Sequence, residues 1–406
     1  MGGERKTGEN CAELIANKID TLKAEGVNIC CVITDSGSDF KKARKILTNK
    51  YGDIVFGPCL AHCLDLLAED ICELPFTADP LSKSDRIVNM IRNHDLLRKE
   101  LKDHDGVLLK PGETRFMTNF ISLQRVVVLR IPLRITMVSE RADIYLQHLK
   151  KPADREKFKV VKADILSEQV WSEFQYVEKI LLPLILFLRD NDGNCQLSDG
   201  NAIGHAYYNF FKLVEYYRDS TDLKAAHRKL LVKAVEDRWA FSHTPLHSVG
   251  FVLHPAYRNF QQDMNPDVMA DFYLVLDKWV NEEDKGAVIS QLCTYRQGRG
   301  MFSRAEAKAL QNEPMNYWRM FAAETPQLQE LALKLFNQST NASVCEGNWS
   351  CFEYIFNKRR NLLSENRLAR LVFIHGNLRN LSLSARLGRT KDVSHGSSLV
   401  KYLESL

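Results

Sequence analysis

The chain is predicted to be α/β plus all-α, with a short parallel α/β segment at the front and a long helical body behind it. Two brief β-branched runs near the N-terminus alternate with helix-period segments in the order strand, helix, strand, helix. Beyond Pro75 the apolar spacing becomes persistently helical. The 406 residues, 45% hydrophobic and 26% charged, are an ordinary globular composition with room for two or three domains. Collagen-like, mucin-like and wholly disordered classes are excluded.

Each element follows from local pattern. Residues 8 to 24 repeat Cys11, Ala12, Leu14, Ile15, Ile19 and Leu22 at helical spacing and end near Gly26. Val27 to Thr34 is a buried strand, closed by the polar cluster Asp35, Ser36, Gly37 and Ser38, where a strand turns into a helix running to about Lys50. Ile54 to Phe56 is a second strand, broken by Gly57 and Pro58, and Cys59 to Cys72 is again helical in period. Helices are then predicted over Ile87 to Leu101, Phe116 to Val128, Val170 to Leu188, Tyr207 to Tyr217, Leu223 to Val235 and Met269 to Val280. Trp171, Phe174, Tyr207, Tyr208, Phe210, Phe211, Tyr216 and Tyr217 lie at helical spacing within these, which assigns them to the core ahead of any role as base-stacking platforms.

The longest apolar run, Ile180 to Leu188, contains Pro183 and falls well short of the roughly 20 residues a membrane span needs, and Met1 to Asn10 is polar. No membrane partner is expected, and an intracellular protein is. Ten scattered cysteines do not form a disulfide framework, so reduced thiols are expected. From Lys358 onward there are ten Lys or Arg against three Asp or Glu, so a net +4 chain carries its positive charge at the C-terminal end. That asymmetry suits a polyanion, or a solvated basic tail.

Asp35 stands at the C-terminal end of a strand, where open α/β sheets place ligand-binding groups; it reads either as a metal-ligand position or as a turn residue capping the next helix. Cys59, His62, Cys63 and Cys72 offer a Cys-x-x-His pair without a second pair at finger-like spacing, so small buried thiols compete with a zinc site. The chain lacks a Walker loop, a dinucleotide glycine fingerprint, a Gly-x-Ser-x-Gly elbow and a His-Glu-x-x-His helix.

More specific is the succession of segments. T-D-S-G-S-D-F-K-K-A-R (Thr34 to Arg44) precedes G-P-C-L-A-H-C-L-D-L-L (Gly57 to Leu67) and E-T-R-F-M-T-N-F-I-S-L (Glu113 to Leu123). Arg238 and Trp239 follow, then P-L-H-S-V-G-F-V-L-H-P (Pro245 to Pro255), Y-W-R-M-F (Tyr317 to Phe321) and P-Q-L-Q-E-L-A (Pro326 to Ala332). N-A-S-V-C-E-G-N-W-S-C-F (Asn341 to Phe352), K-R-R-N-L-L (Lys358 to Leu363) and L-A-R-L-V-F-I (Leu368 to Ile374) complete the order. From about residue 8 to 380 the chain resembles hAT-superfamily DNA transposases.

That resemblance implies a ribonuclease H-like core interrupted by a large helical insertion, its final part doubling as a dimerisation region. Asp35 then matches the second catalytic carboxylate and Glu346 the final one, both vestigial, and the two would hold Mg2+ or Mn2+ only in a completed core. The first carboxylate of such enzymes lies on an antiparallel meander, for which 34 residues already spent on a helix and a strand leave no room. The chain is therefore expected to begin inside the core, without the BED finger of many relatives. It departs further in having Gly347 beside Glu346 and Tyr317 before Trp318, where the family has Glu-Arg and Trp-Trp.

The expected organisation is a partial ribonuclease H-like core over 8–75, a helical insertion over 84–323, C-terminal core helices with the dimerisation region over 324–380, and a flexible basic tail over 381–406. Leu328, Leu331, Leu335, Trp349, Phe352, Leu368, Leu371 and Val372 form the apolar stripes assigned to dimerisation, which equally suit intramolecular packing. Phosphate-directed cations are Lys41, Lys42, Arg44 and Lys45, then Arg296, Arg299 and Arg304, then Lys358, Arg359 and Arg360. The expected function is a catalytically incomplete hAT transposase-like protein, homodimeric, nuclear or otherwise intracellular, binding DNA nonspecifically and needing no cofactor as this chain. The alternatives are an active metal-dependent transposase whose N-terminal portion lies outside this chain, and a transposase-derived transcriptional regulator.

Overall fold

The computed structural model describes residues 6–108, 118–194, 201–260, 265–342, 355 and 364–387. In chain order the first elements are α1 (Gly8–Ala24), β1 (Cys31–Thr34), α2 (Ser38–Lys50), β2 (Val55–Pro58), α3 (Leu60–Cys72), α4 (Pro75–Asn93), α5 (Asp95–Asp103), α6 (Thr118–Val128), α7 (Arg130–Val138), α8 (Glu140–His148) and α9 (Pro152–Leu166). Then come α10 (Glu168–Asn194), α11 (Asn201–Asp219), α12 (Ala225–Ser242), α13 (Pro245–Leu253), α14 (Pro266–Trp279), α15 (Glu282–Arg296), α16 (Pro314–Phe321), α17 (Pro326–Phe336) and α18 (Glu365–Leu387). The protein is largely helical, with one two-stranded parallel sheet among the described residues. Among those residues no helix is long and apolar enough to cross a membrane. The chain divides into two compact units, one of Met1–Cys63, Phe187–Lys212 and Trp239–Leu406, the other of Leu64–Leu186 and Leu213–Arg238.

In the first unit, Thr7 caps α1 by accepting the Asn10 N–H at 3.3 Å, and Gly26 at φ +83° turns the chain out of the helix. Cys11, Ala12, Ala16 and Ile19 of α1 pack with Ala43 and Leu47 of α2 and with Tyr51 and Ile54. Cys31 to Thr34 pair in parallel with Val55 to Pro58. The strand predicted from Val27 is shorter because a strand exists only where a neighbour completes its ladder, and β2 offers four residues. Val27 is instead exposed, its N–H returned to Leu22 O at 2.9 Å. Gly57 and Pro58 are the last two residues of β2 rather than a break after Phe56. Pro58 needs no ladder donor at a strand terminus, and a Cβ at Gly57 would lie 2.9 Å from Thr244 Cγ2.

The larger core of this unit gathers Phe251 and Leu253 of α13, Phe272 and Val275 of α14, Tyr295, Trp318, and Leu328 and Leu335 of α17. Tyr295 Oη and Trp318 Nε1 both donate to Leu253 O, at 3.1 and 3.0 Å, satisfying an orphan carbonyl at the end of α13. Helices α11 and α13 approach closely at Gly250, where a Cβ would sit 2.7 Å from Ile203 O. The obstacle is backbone, so Gly250→Ala must separate the helices; a loss of about 2 kcal/mol in urea unfolding is expected, and an unchanged midpoint would show the approach to be looser than described.

Among its described residues the second unit has helices and no strand. Trp171, Phe174 and Tyr217 are fully buried, as Phe210 is in the first unit, so these aromatics are core. Pro183 lies inside α10 and cannot bond back to Lys179 O; Tyr216 Oη donates to that carbonyl at 3.1 Å, so the helix continues through the proline. The helix predicted over Ile87 to Leu101 is two, broken at His94, whose extended backbone (φ −125°, ψ 115°) lies within the turn-forming run Asn93, His94, Asp95. Arg238 grips Asp70 bidentately, Nε to Oδ2 at 2.5 Å and Nη2 to Oδ1 at 2.7 Å.

Candidate functional site at the strand ends

Parallel strands bring their C-terminal ends to one edge, and here Thr34 and Pro58 lie in register. Cys59 N–H donates to Thr34 O at 2.7 Å, so the start of α3 is tied to the end of β1. Asp35 follows β1 immediately. One of its carboxylate oxygens accepts the Ser36 N–H at 2.6 Å and stands 3.5 Å from His62 Nε2. The carboxylate is 50% exposed and the imidazole 30%, leaving Asp35 open to a cation or a proton from solvent. Turn residue and strand-end ligand position are thus compatible, since one oxygen serves the turn and the group remains accessible.

Beneath the turn, Arg44 of α2 sends Nη1 to Thr34 Oγ1 and to Asp35 O, both at 2.7 Å. Arg44 is only 8% exposed, and burial lowers its pKa while the nearby Cys63 and Asp35 act the other way. This corrects its assignment as a phosphate-directed cation: a guanidinium held under the strand end cannot meet a backbone phosphate. Of its neighbours, Lys41 lies over the Phe241 ring at 5.3 Å, Lys42 pairs with Glu9, and Lys45 is exposed. Arg296 is half-buried, Arg299 exposed, and Arg304 pairs with Glu306 at 3.3 Å.

The Cys-x-x-His residues separate by facing. Cys59, just before α3, and Cys63 on it are both buried, Ser36 Oγ lying 3.4 Å from Cys63 Sγ, while His62 faces Asp35. Cys72 lies at the far end of the same helix, its thiol pushed up by burial to about 12 and so hard to ionise for a metal. Among the described residues, no three His, Cys, Asp or Glu side chains converge as a metal set.

The site has a feature that local patterns do not announce. Helix α3 begins with N–H groups that need acceptors, and they are supplied from some 280 residues further along: Leu60 N–H donates to Thr340 O at 3.0 Å and Ala61 N–H to Asn341 Oδ1 at 2.7 Å. Asn341 Oδ1 also accepts from Asn191 Nδ2 at 2.9 Å, Asn341 Nδ2 donates to Asn191 O at 3.2 Å, and Thr340 Oγ1 donates to Asn191 Oδ1 at 3.0 Å. Ala342 N–H reaches Cys59 Sγ at 3.3 Å. Asn191, Thr340 and Asn341 are buried, and the network satisfies their amide groups in the interior. The only sequence signal for it is that Asn341 opens the N-A-S-V-C-E-G segment.

Glu346, Trp349, Phe352, Lys358, Arg359 and Arg360 lie outside the described residues. Leu328, Leu331 and Leu335 are buried in the first unit's own core, which corrects their assignment to a dimer face: a fully buried side chain has no surface to offer a partner. On α18 the stripes differ. Val372 is buried beside Ile355 and a partly buried Leu368, whereas Leu371, Phe373, Ile374 and Leu378 are exposed.

Residues 3–87 match the family model described as a domain of unknown function, DUF659, about a fifth of the chain. No curated protein is significantly similar to the chain.

Proposed function

We propose that the chain is a hAT transposase-like protein in which a ribonuclease H-like α/β segment is interrupted by helical sequence and rejoined by residues from about 324 onward. The observation that carries this reading is the return of Thr340 to Ala342 to the start of α3, at the strand end that bears Asp35. An interrupted core requires such a return. Glu346 stands four residues beyond Ala342 in the sequence, and in this reading it is the partner of Asp35. The DUF659 match agrees, that domain occurring in hAT-like transposase-derived proteins.

In this reading Asp35 and Glu346 are remnants of a metal-binding set that Mg2+ or Mn2+ would occupy only in a completed core. The chain's own capacities are self-association through the exposed stripe of α18 and sequence-tolerant DNA binding through exposed cations such as Lys45 and Arg299. A nuclear location follows from DNA as the partner. Sedimentation is expected to give a dimer that Leu371→Asp combined with Leu378→Asp converts to monomer, and incubation with DNA and Mg2+ or Mn2+ is expected to give no strand scission. Metal-dependent scission abolished by Asp35→Ala would overturn the assignment in favour of an active transposase, and a monomeric parent chain would remove self-association from it.

A further inference from the structure

Among the described residues, the second unit carries an apolar stripe that its own packing does not use. Val128 ends α6 and, past the non-helical Leu129, Ile131, Ile135 and Val138 follow on α7, where spacings of four and three put these last three on one face. The four are 65%, 70%, 40% and 63% exposed. The opposite face is fully committed: Leu133, Thr136 and Met137 are buried, and α7 packs against α5, α8 and α9. The stripe is therefore a deliberate second face of a well-anchored helix, about 15 Å long.

Its size and charge select the occupant. Four aliphatic side chains at these exposures present on the order of 400 Å², in the range of a functional patch on a monomer, but only about half of the 800 Å² per partner that a stable pair of globular surfaces needs. A single helix laid along the stripe matches that area. From Thr118 to Val138 the chain contains Arg125, Arg130 and Arg134 and no Asp or Glu. Glu168 bonds both Arg130 and Arg134, and exposed Glu140 starts α8 just beyond Val138, yet the flanks of the stripe keep an excess of arginine. A second copy would set arginines against arginines, which costs affinity and specificity.

We propose that this stripe docks an amphipathic helix of another protein, apolar at three-and-four spacing and flanked by Asp or Glu, in the helix-against-helix mode of peptide recognition. The proposal stands independently of the transposase assignment. The test titrates the full chain into a fluorescein-labelled synthetic peptide of about twenty residues, with leucines at three-and-four spacing and glutamates on the flanks, and follows anisotropy. A second peptide carries lysines in place of the glutamates. Saturable binding of the Glu peptide is expected, weakened about tenfold or more by Ile131→Asp with Ile135→Asp, and the Lys peptide is expected to bind about tenfold less well. Circular dichroism of the double variant should match that of the parent, since both positions face solvent. Absence of saturable binding overturns the proposal, as does equal binding by the variant or by the Lys peptide. Conversion of a dimer to a monomer by the double variant would assign the stripe to a second copy and overturn it too.

Discussion

Replacing Asn341 by Leu is expected to destabilise the first unit by about 4 kcal/mol, because several buried groups lose their partners at once. Asn341 Oδ1 is the acceptor for Ala61 N–H at the start of α3 and for Asn191 Nδ2, and Asn341 Nδ2 serves Asn191 O. Leucine has the same branched shape and is larger, so no cavity opens and the added bulk only adds to the loss; what remains is an uncapped helix and an asparagine that loses its Asn341 partners in the interior. The capping part alone contributes about 1 kcal/mol. A double-mutant cycle with Asn191→Ala separates the rest: coupling of about 1 to 3 kcal/mol is expected between the two sites. Simple additivity in guanidinium unfolding would show that the two asparagines act independently and that the network does not hold the returning segment to α3.

That network marks the boundary of what was legible in the sequence. The α1-β1-α2-β2-α3 order could be read because each element is short, strongly periodic and punctuated at its ends: Gly26 after α1, and the polar run Asp35 to Gly37 between β1 and α2. The accessible carboxylate at Asp35 was legible for the same reason, as a strand-end position. Arg44 was not, because a basic residue on a helix looks alike whether it faces solvent or reaches under the strand end to Thr34 and Asp35. Leu328, Leu331 and Leu335 failed similarly, since an apolar stripe declares that it will be covered but not by what. The break at His94 shows the opposite failure, where apolar periodicity runs on through a local turn former. Contacts between Asn191 and Asn341 span a sequence separation of 150 residues and have no local signature at all.

Acidification from pH 7.5 to 5 is expected to cost about 4 kcal/mol of stability through His205 and His247 alone, with His254 adding in the same direction. All three are buried in the first unit as neutral bases. Burial is the leading cause in each case: it lowers His205 to about 4, partly opposed by Asp190, lowers His247 to about 3, with His243 adding and Asp271 opposing, and draws His254 well down. Geometry points the same way. His247 Nδ1 accepts the Thr244 N–H at 3.1 Å in the cap of α13, and His254 Nδ1 accepts the Ala256 N–H at 3.2 Å, so a proton on either nitrogen would displace a donor already there. In the unfolded chain these imidazoles titrate near 6.5, and between 6.5 and the folded values the unfolded state therefore binds more protons. The stabilisation is complete above about pH 6.5 and falls as pH drops, down to about 4 for His205 and about 3 for His247. Each histidine contributes about 2 kcal/mol by pH 5, from roughly 1.5 pH units at 1.36 kcal/mol per unit. Urea midpoints at pH 7.5, 6 and 5 would follow the loss, and a midpoint independent of pH across that range would contradict it. His247→Gln supplies a cap acceptor that does not titrate, so it should flatten the acid limb while leaving stability at pH 7.5 within about 1 kcal/mol of the parent; an acid limb as steep as the parent's would place the titrating groups elsewhere.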